Sequence, residues 1–203
     1  MKIIKLLIYL KKQFPSLWVF VEFMNGLVFK YLFYKKMIKN ADVILKQYEN
    51  EIYNYRFLIQ SEIPRLHDFF NKQNQEQFSY FKPHDFDNSS LHRLFNNPSF
   101  LLFGVFDKDE IIGYFFLRCF INKQCFTGRI VDERYQGQGI AKKMGKILHH
   151  IAWTSNFRVF GTASNENIKS LKSYQAINNY RIIKELDNNY IYFEYLKSEE
   201  KPL

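Results

Sequence analysis

Cysteine is scarce in this 203-residue chain: only Cys119 and Cys125 occur, on neighbouring predicted strands. Two thiols support neither a disulfide framework nor a cysteine-rich metal site, so a reducing, cytoplasmic setting is expected. Long apolar runs are lacking too. The longest, Phe14 to Phe29, is interrupted by Pro15, Glu22 and Asn25 and falls short of the ~20 residues a spanning helix needs. The early apolar run is short, meets Lys11-Lys12 and offers no small-residue cleavage site, so it does not read as a secretory signal. His149 and His150 are adjacent on a predicted helix, where neighbours point apart, and read as surface residues. No metal is expected.

Acidic residues are the minority, 20 against 29 Lys+Arg, for a net charge of +9. Such a balance invites a nucleic-acid or membrane reading. Yet Lys far outnumbers Arg, whereas base and phosphate readers favour guanidinium forks. No helix-turn-helix, zinc-finger or RNP-like motif occurs, and AT-rich coding alone can produce a mix of Lys, Asn, Ile, Phe and Tyr. No nucleic-acid partner is expected.

The charge is unevenly spread, which divides the chain into residues 1–50 and 51–203. The first segment holds nine lysines against Glu22, Asp42 and Glu49, with Trp18, Phe20, Phe23, Tyr31 and Tyr34 among its aromatics. It reads as a basic, aromatic helical extension. Two placements remain open for it: peripheral contact with the inner face of an anionic membrane, or packing on the main domain or on a second copy in a homodimer.

From Tyr53 the pattern is ordered. Tyr53–Ile59 alternates as a strand, and Ser61 is a candidate N-cap for a helix to about Lys72. A polar stretch, interrupted by Tyr80-Phe81-Lys82-Pro83-His84, leads to a short helix near Ser90–Asn96. Ser99–Phe106 and Glu110–Phe120 form a hairpin turning at Asp107-Lys108-Asp109, and a third strand runs from Cys125 to Asp132. Next come a helix over Gln138–Trp153, a strand over Phe157–Thr162 and a helix over Ser164–Ile177. Strands Tyr180–Leu186 and Tyr190–Leu196 close the chain.

Between the third strand and its helix stands Tyr135-Gln136-Gly137-Gln138-Gly139-Ile140-Ala141. Its glycines strip side-chain bulk from a helix start, where the first N–H groups lack intrahelical partners and lie at the positive end of the dipole. That makes an anion cradle suited to phosphate or pyrophosphate. A Walker loop fails, because Gly145-Lys146 is followed by Ile147 and no glycine stands five residues before it. A dinucleotide fingerprint is incomplete, with Lys142 at its third glycine.

Gln136-Gly137-Gln138-Gly139-Ile140-Ala141 instead matches Gln/Arg-x-x-Gly-x-Gly/Ala at every specified position. With the order β-α-α-β-β-β-α-β-α-β-β over residues 53–197, the chain resembles the GNAT superfamily of acyl-CoA-dependent N-acyltransferases. The resemblance implies an α/β (α+β) fold, a mixed central sheet flanked by helices and splayed between its fourth and fifth strands, with residues 1–50 outside it. It implies acetyl-CoA as co-substrate and a small-molecule amine as acceptor, attacking directly without a covalent enzyme intermediate. An amino-sugar nucleotide or surface-polysaccharide precursor is one acceptor class compatible with the 81–84 cluster. A non-catalytic acyl-CoA-binding or docking module is the alternative.

The resemblance also implies site residues. Backbone N–H groups from Gln136, Gly137, Gln138, Gly139, Ile140 and Ala141 would hold the pyrophosphate, with Lys142 near the outer phosphate. A backbone N–H at Ile130 or Val131 would serve as oxyanion donor. Asn167, Ser170 and Tyr174 fit the helix pattern Asn-x-x-Ala-x-x-x-Tyr approximately, which makes Tyr174 the general acid or else a packing aromatic. For the base, Asp132 and Glu133 stand at the strand end, and His84 lies in the acceptor-side cluster.

Overall fold

A computed structural model describes residues 15–49, 51–81 and 83–197. Expectations resting on Lys11-Lys12, Phe14 or Lys82 lie outside those residues. Seven strands form one sheet in the order β1-β2-β3-β4-β5-β7-β6. They are β1 (Asn54–Phe57), β2 (Phe100–Asp107), β3 (Glu110–Cys119), β4 (Gln124–Val131), β5 (Arg158–Ser164), β6 (Tyr180–Leu186) and β7 (Tyr190–Tyr195). The helices are α1 (Pro15–Phe29), α2 (Lys35–Lys46), α3 (Ile63–Lys72), α4 (Asn88–Phe95), α5 (Ile140–Thr154) and α6 (Ile168–Gln175).

The hairpin β2–β3 is the centre of the molecule. Its residues are buried on both faces almost throughout, so its sequence reads as a continuous apolar run rather than an alternation. Phe103, Val105 and Phe115 pack on one side with Met144, Ile147 and Ile151 of α5 and with Met37 and Ile44 of α2. Leu102, Phe106, Tyr114 and Phe116 pack on the other with Leu66, Phe69 and Phe70 of α3 and Leu91 of α4. Each fully buried Phe or Leu contributes about 1.5–3 kcal/mol.

Between α1 and α2 the helix widens into a π turn at Lys30–Tyr34. Phe29, Phe33, Met37 and Ala41 recur every four residues and all pack in the core. A regular helix of 3.6 residues per turn drifts by about 40° at each such step. The wider turn absorbs that drift and keeps the four on one side. No helix among the described residues is long and apolar enough to cross a membrane.

Strands β4 and β5 are the one parallel pair, and they stay together for only three positions, Gln124↔Arg158, Cys125↔Val159 and Phe126↔Phe160. Beyond Phe126 they part, while β4 remains paired with β3 up to Gly113↔Val131. The far edge of residues 127–131 is thereby left without a strand neighbour, open to an extended ligand. This is the expected splay between the fourth and fifth strands.

Two local expectations need correction. Ser61 does not cap α3: Gln60–Glu62 form a 3-10 turn in which the Ile59 N–H donates to Glu62 Oε2 at 2.9 Å. Arg56 grips the same carboxylate at 2.6 and 3.0 Å, so the charged acceptor outcompetes the hydroxyl. His149 is not a surface residue either, being only 1% exposed. Its ring lies 4.0 Å from that of Tyr195, and its Nδ1 accepts from Asn178 Nδ2 at 2.9 Å. His150 is exposed.

Candidate active site

The loop between β4 and α5 is anchored at its start. Asp132 caps the turn Glu133–Tyr135 by accepting from the Arg134 N–H at 3.0 Å. The Tyr135 hydroxyl donates to Asp107 Oδ2 at 3.0 Å, and its ring meets Tyr53 edge-on at 5.8 Å. Just beyond these anchors Gly137 and Gly139 take φ of 80° and 78°, the left-handed region that costs other residues roughly 1–2 kcal/mol. A Cβ at either would meet no atom of the protein within 4 Å.

Gly139 is the N-cap of α5 and supplies no side-chain cap. The first intrahelical bond runs from Lys143 N to Gly139 O. The amides of residues 140–142 therefore point out of the helix without a helical partner. Together with the left-handed glycines they form a concave set of donors at a dipole's positive end. A cavity of about 880 Å³ opens against them, bordered there by Gln136, Gly137, Gly139, Ile140, Ala141 and Lys142. The Gln138 side chain turns away to accept from the Tyr53 hydroxyl at 2.6 Å. Lys143 is paired with Glu51, whereas Lys142 borders the cavity on this side and Lys169 on the α6 side.

The cavity continues along the splay, where Ile130 and Val131 line it beside Arg129. Antiparallel backbone groups alternate in direction. Asp132 N–H donates to Ile112 O across β3, so Ile130 also faces β3 and Val131 faces the gap. The opposite wall is β5 and α6. Asn167 caps α6 by accepting from the Ser170 N–H at 3.0 Å. One turn on, Tyr174 lines the cavity, with its ring centroid 5.5 Å from that of Phe193. The Arg129 guanidinium sits 4.6 Å from the Tyr174 centroid and donates to Ser173 Oγ at 3.3 Å.

A family model described as an acetyltransferase (GNAT) domain matches residues 69–178, more than half of the chain. The chain belongs to the GNAT acetyltransferase family. No curated protein sequence matches it significantly. Solved structures resemble its fold. A ribosomal-protein-S5-alanine acetyltransferase from Vibrio fischeri is 19% identical, covering 76% of this chain and 98% of its own, at a TM-score of 0.57. The GNAT domain of S. lividans PAT is 17% identical, with coverages of 70% and 88% and a TM-score of 0.59. A spermidine N-acetyltransferase from Vibrio cholerae, in complex with CoA and spermine, is 20% identical, with coverages of 71% and 94% and a TM-score of 0.57.

The acetyl donor of this GNAT domain is acetyl-CoA, and the residues present suit it. The bare amides at 137–142 fit its pyrophosphate, and the unpaired edge of β4 fits an extended amide-bearing arm. Among the described residues no group of three or more His, Cys, Asp or Glu could hold a metal ion.

The GNAT domain's candidate bases are placed differently from one another. The Asp132 carboxylate accepts from Arg134 Nε at 3.0 Å and Nη2 at 2.9 Å and is 3.5 Å from Gln73 Nε2. The Arg134 hydrogen bond holds it below the usual carboxylate range, against the opposing pull of burial. It opens on a separate cavity of about 190 Å³ beside Arg65, Phe69 and Gln73. His84 Nδ1 lies 2.8 Å from Asp85 O and its Nε2 lies 2.9 Å from the Tyr114 hydroxyl. A tautomer with Nδ1–H donating leaves Nε2 to accept from the phenol. Burial among Phe70, Phe86 and Phe116 pushes this imidazole below its ordinary pKa.

Glu133 and Glu76, in contrast, border the large cavity, near Asn74, Ser79, Tyr80 and Phe81. Sequence reasoning missed Arg129 and Glu76. Arg129 carries no signal, since a strand residue shows no motif. Tyr80 stands at the start of the cluster that the sequence singled out, without a role assigned to it.

Proposed function

We propose that the chain is an N-acetyltransferase that moves the acetyl group of acetyl-CoA directly to a primary amine. The observation that carries this reading is the pair of left-handed glycines opening bare amides onto a cavity that runs into the β4–β5 gap. In this reading the amides of Gly137 to Lys142 hold the pyrophosphate, and Lys142 offsets outer phosphate charge. The Val131 N–H faces the gap and donates to the carbonyl oxygen as the amine attacks; one such donor is worth about 2.7–4 kcal/mol.

Tyr174 gives its phenolic proton to the sulfur as the C–S bond breaks. Arg129, stacked on that phenol, fixes the ring and favours the negative charge developing beside it. Glu133, through water, takes the proton the amine loses. Asp132 and His84 become positioning groups in this scheme, because Arg134 and Tyr114 already occupy them.

The acceptor end favours an amino sugar or comparable small amine. Tyr80 and Phe81 suit a ring face, Asn74 and Ser79 suit hydroxyls, and Glu76 and Glu133 suit an ammonium. The same two carboxylates disfavour a nucleoside diphosphate at that end, despite the chain's overall positive charge.

Thermal unfolding with acetyl-CoA, free CoA and NAD tests the donor site. A ligand at about 100 times its Kd adds ~2.7 kcal/mol, about 5–10 °C for a chain of this size. A shift with both CoA species and none with NAD is expected. A shift without thiol release on any amine, amino sugars included, would favour the docking-module alternative.

A further inference from the structure

Among the described residues, the outward side of α1 and of the π turn after it has no partner. Phe20, Phe23, Met24, Leu27 and Tyr31 are all exposed, Phe23 by 61% and Tyr31 by 80%. At about 100° per residue they share one stripe, opposite Glu22, Gly26 and Phe29. The opposite side is locked to the sheet: Glu22 pairs with Arg118, Asn25 donates to Cys119 O at 2.9 Å and accepts from the Ile121 N–H at 3.2 Å. A Cβ at Gly26 would strike Asn97. Helix α1 cannot roll its aromatics inward without breaking that clamp.

The charge around the stripe selects its occupant. Lys30, Lys35, Lys36 and Lys39 are exposed just beyond it. Lys2, Lys5, Lys11 and Lys12 precede it in sequence, and no acid occurs before Glu22, which Arg118 already neutralises. A second copy docked there would set lysines against lysines. An anionic bilayer surface instead accepts aromatic rings at headgroup depth and lysines on its phosphates.

We propose that α1 and the π turn after it lay Phe20, Phe23, Leu27 and Tyr31 into the surface of an anionic lipid bilayer, with the neighbouring lysines on the headgroups. The acetyltransferase would then work at a membrane face without crossing it. This inference stands apart from the catalytic reading, since none of these residues borders the cavity.

Co-sedimentation of the full chain with phosphatidylcholine vesicles, alone and with about 30% phosphatidylglycerol, tests it. Binding to the anionic vesicles is expected, at least about tenfold stronger than to the neutral ones and weakened by salt. The double variant Phe23→Glu/Leu27→Glu should bind about tenfold less well while keeping its thermal response to acetyl-CoA. No binding to anionic vesicles overturns the proposal. So does equal binding by the variant, which would leave lysines alone responsible. A dimer by light scattering that the same substitutions dissociate, without vesicle binding, assigns the stripe to a second copy.

Discussion

The two walls of the large cavity are built from different materials. On the α5 side the groups bordering the cavity are mainly backbone amides, with side chains absent at Gly137 and Gly139, turned away at Gln138, and present at Gln136 and Lys142. On the α6 side the groups are side chains from separate elements, Arg129 from β4 and Ser173 and Tyr174 from α6. Helix α6 buries none of its residues completely, whereas α5 buries Met144, Gly145, Ile147, Leu148, His149 and Ile151 among others. In the proposed reading a firmly packed helix would hold the phosphate end, and a lightly packed one would carry the reacting phenol. Binding should therefore be sensitive to bulk on the first wall, and turnover to chemistry on the second.

The largest effect is expected from Gly139→Trp. The protein leaves open space at that Cβ, so the indole meets the ligand rather than the fold, with roughly 1–2 kcal/mol of left-handed strain added. Affinity for CoA should fall by about 100-fold or more, equivalent to at least ~2.7 kcal/mol, with the sheet intact by circular dichroism. Unchanged affinity in calorimetry would remove the cradle.

Next comes Tyr174→Phe, which keeps the packing on Phe193 and removes the proton. A drop in kcat of at least about tenfold, with KM for acetyl-CoA held, is the signature of general-acid loss. Equal turnover would return Tyr174 to a packing role.

Asp132→Asn and Glu133→Gln separate the two carboxylates. Glu133→Gln should lower kcat by about tenfold or more at neutral pH. Asp132→Asn should leave kcat within about threefold and cost about 1 kcal/mol of stability, modest because Arg134 is more than half exposed. The Asp132 pKa is depressed in the fold, so its contribution is present above the ordinary carboxylate pKa and disappears as pH falls through the folded value. Urea unfolding curves of the two proteins should converge once the pH falls below that folded value. The reverse kinetic pattern would make Asp132 the base.

The smallest effect on catalysis is expected at His149 of α5, where stability alone responds. Burial pushes His149 down to about 3, so the unfolded chain takes a proton below about pH 6.5 that the folded chain refuses. Stability should decline by up to ~1.4 kcal/mol per pH unit as pH falls from about 6.5 to 5. His149→Gln, which can still accept from Asn178, should flatten that slope in denaturant titrations. An unchanged slope would place the pH response elsewhere.

What could be read in the sequence follows the same division. The glycine turn at 137–139 and the turn at Asp107–Asp109 were legible because they depend on local backbone rules, glycine at positive φ above all, while the splay position came with the family resemblance. The helix over 138–153 was equally legible, but the burial of His149 was not. It depends on Tyr195 and Asn178, far along the chain, and no local pattern announces them. The partners of Asp132 and His84 were hidden too, the first being a side-chain orientation of nearby Arg134 and the second Tyr114 on another strand. Cys119 and Cys125 proved to be cross-strand neighbours, both buried thiols.

The π turn at Lys30–Tyr34 carries a consequence for the exposed aromatic stripe before it. By taking up the four-residue spacing of Phe29, Phe33, Met37 and Ala41, it sets the angle at which everything before it is presented. Deleting one residue there would leave composition and charge almost unchanged, yet rotate α1 by about 100° relative to α2. Asn25 would leave its partners on β3 and Phe23 would swing toward the sheet. The direction this enzyme faces is thus written as a count of residues in one turn.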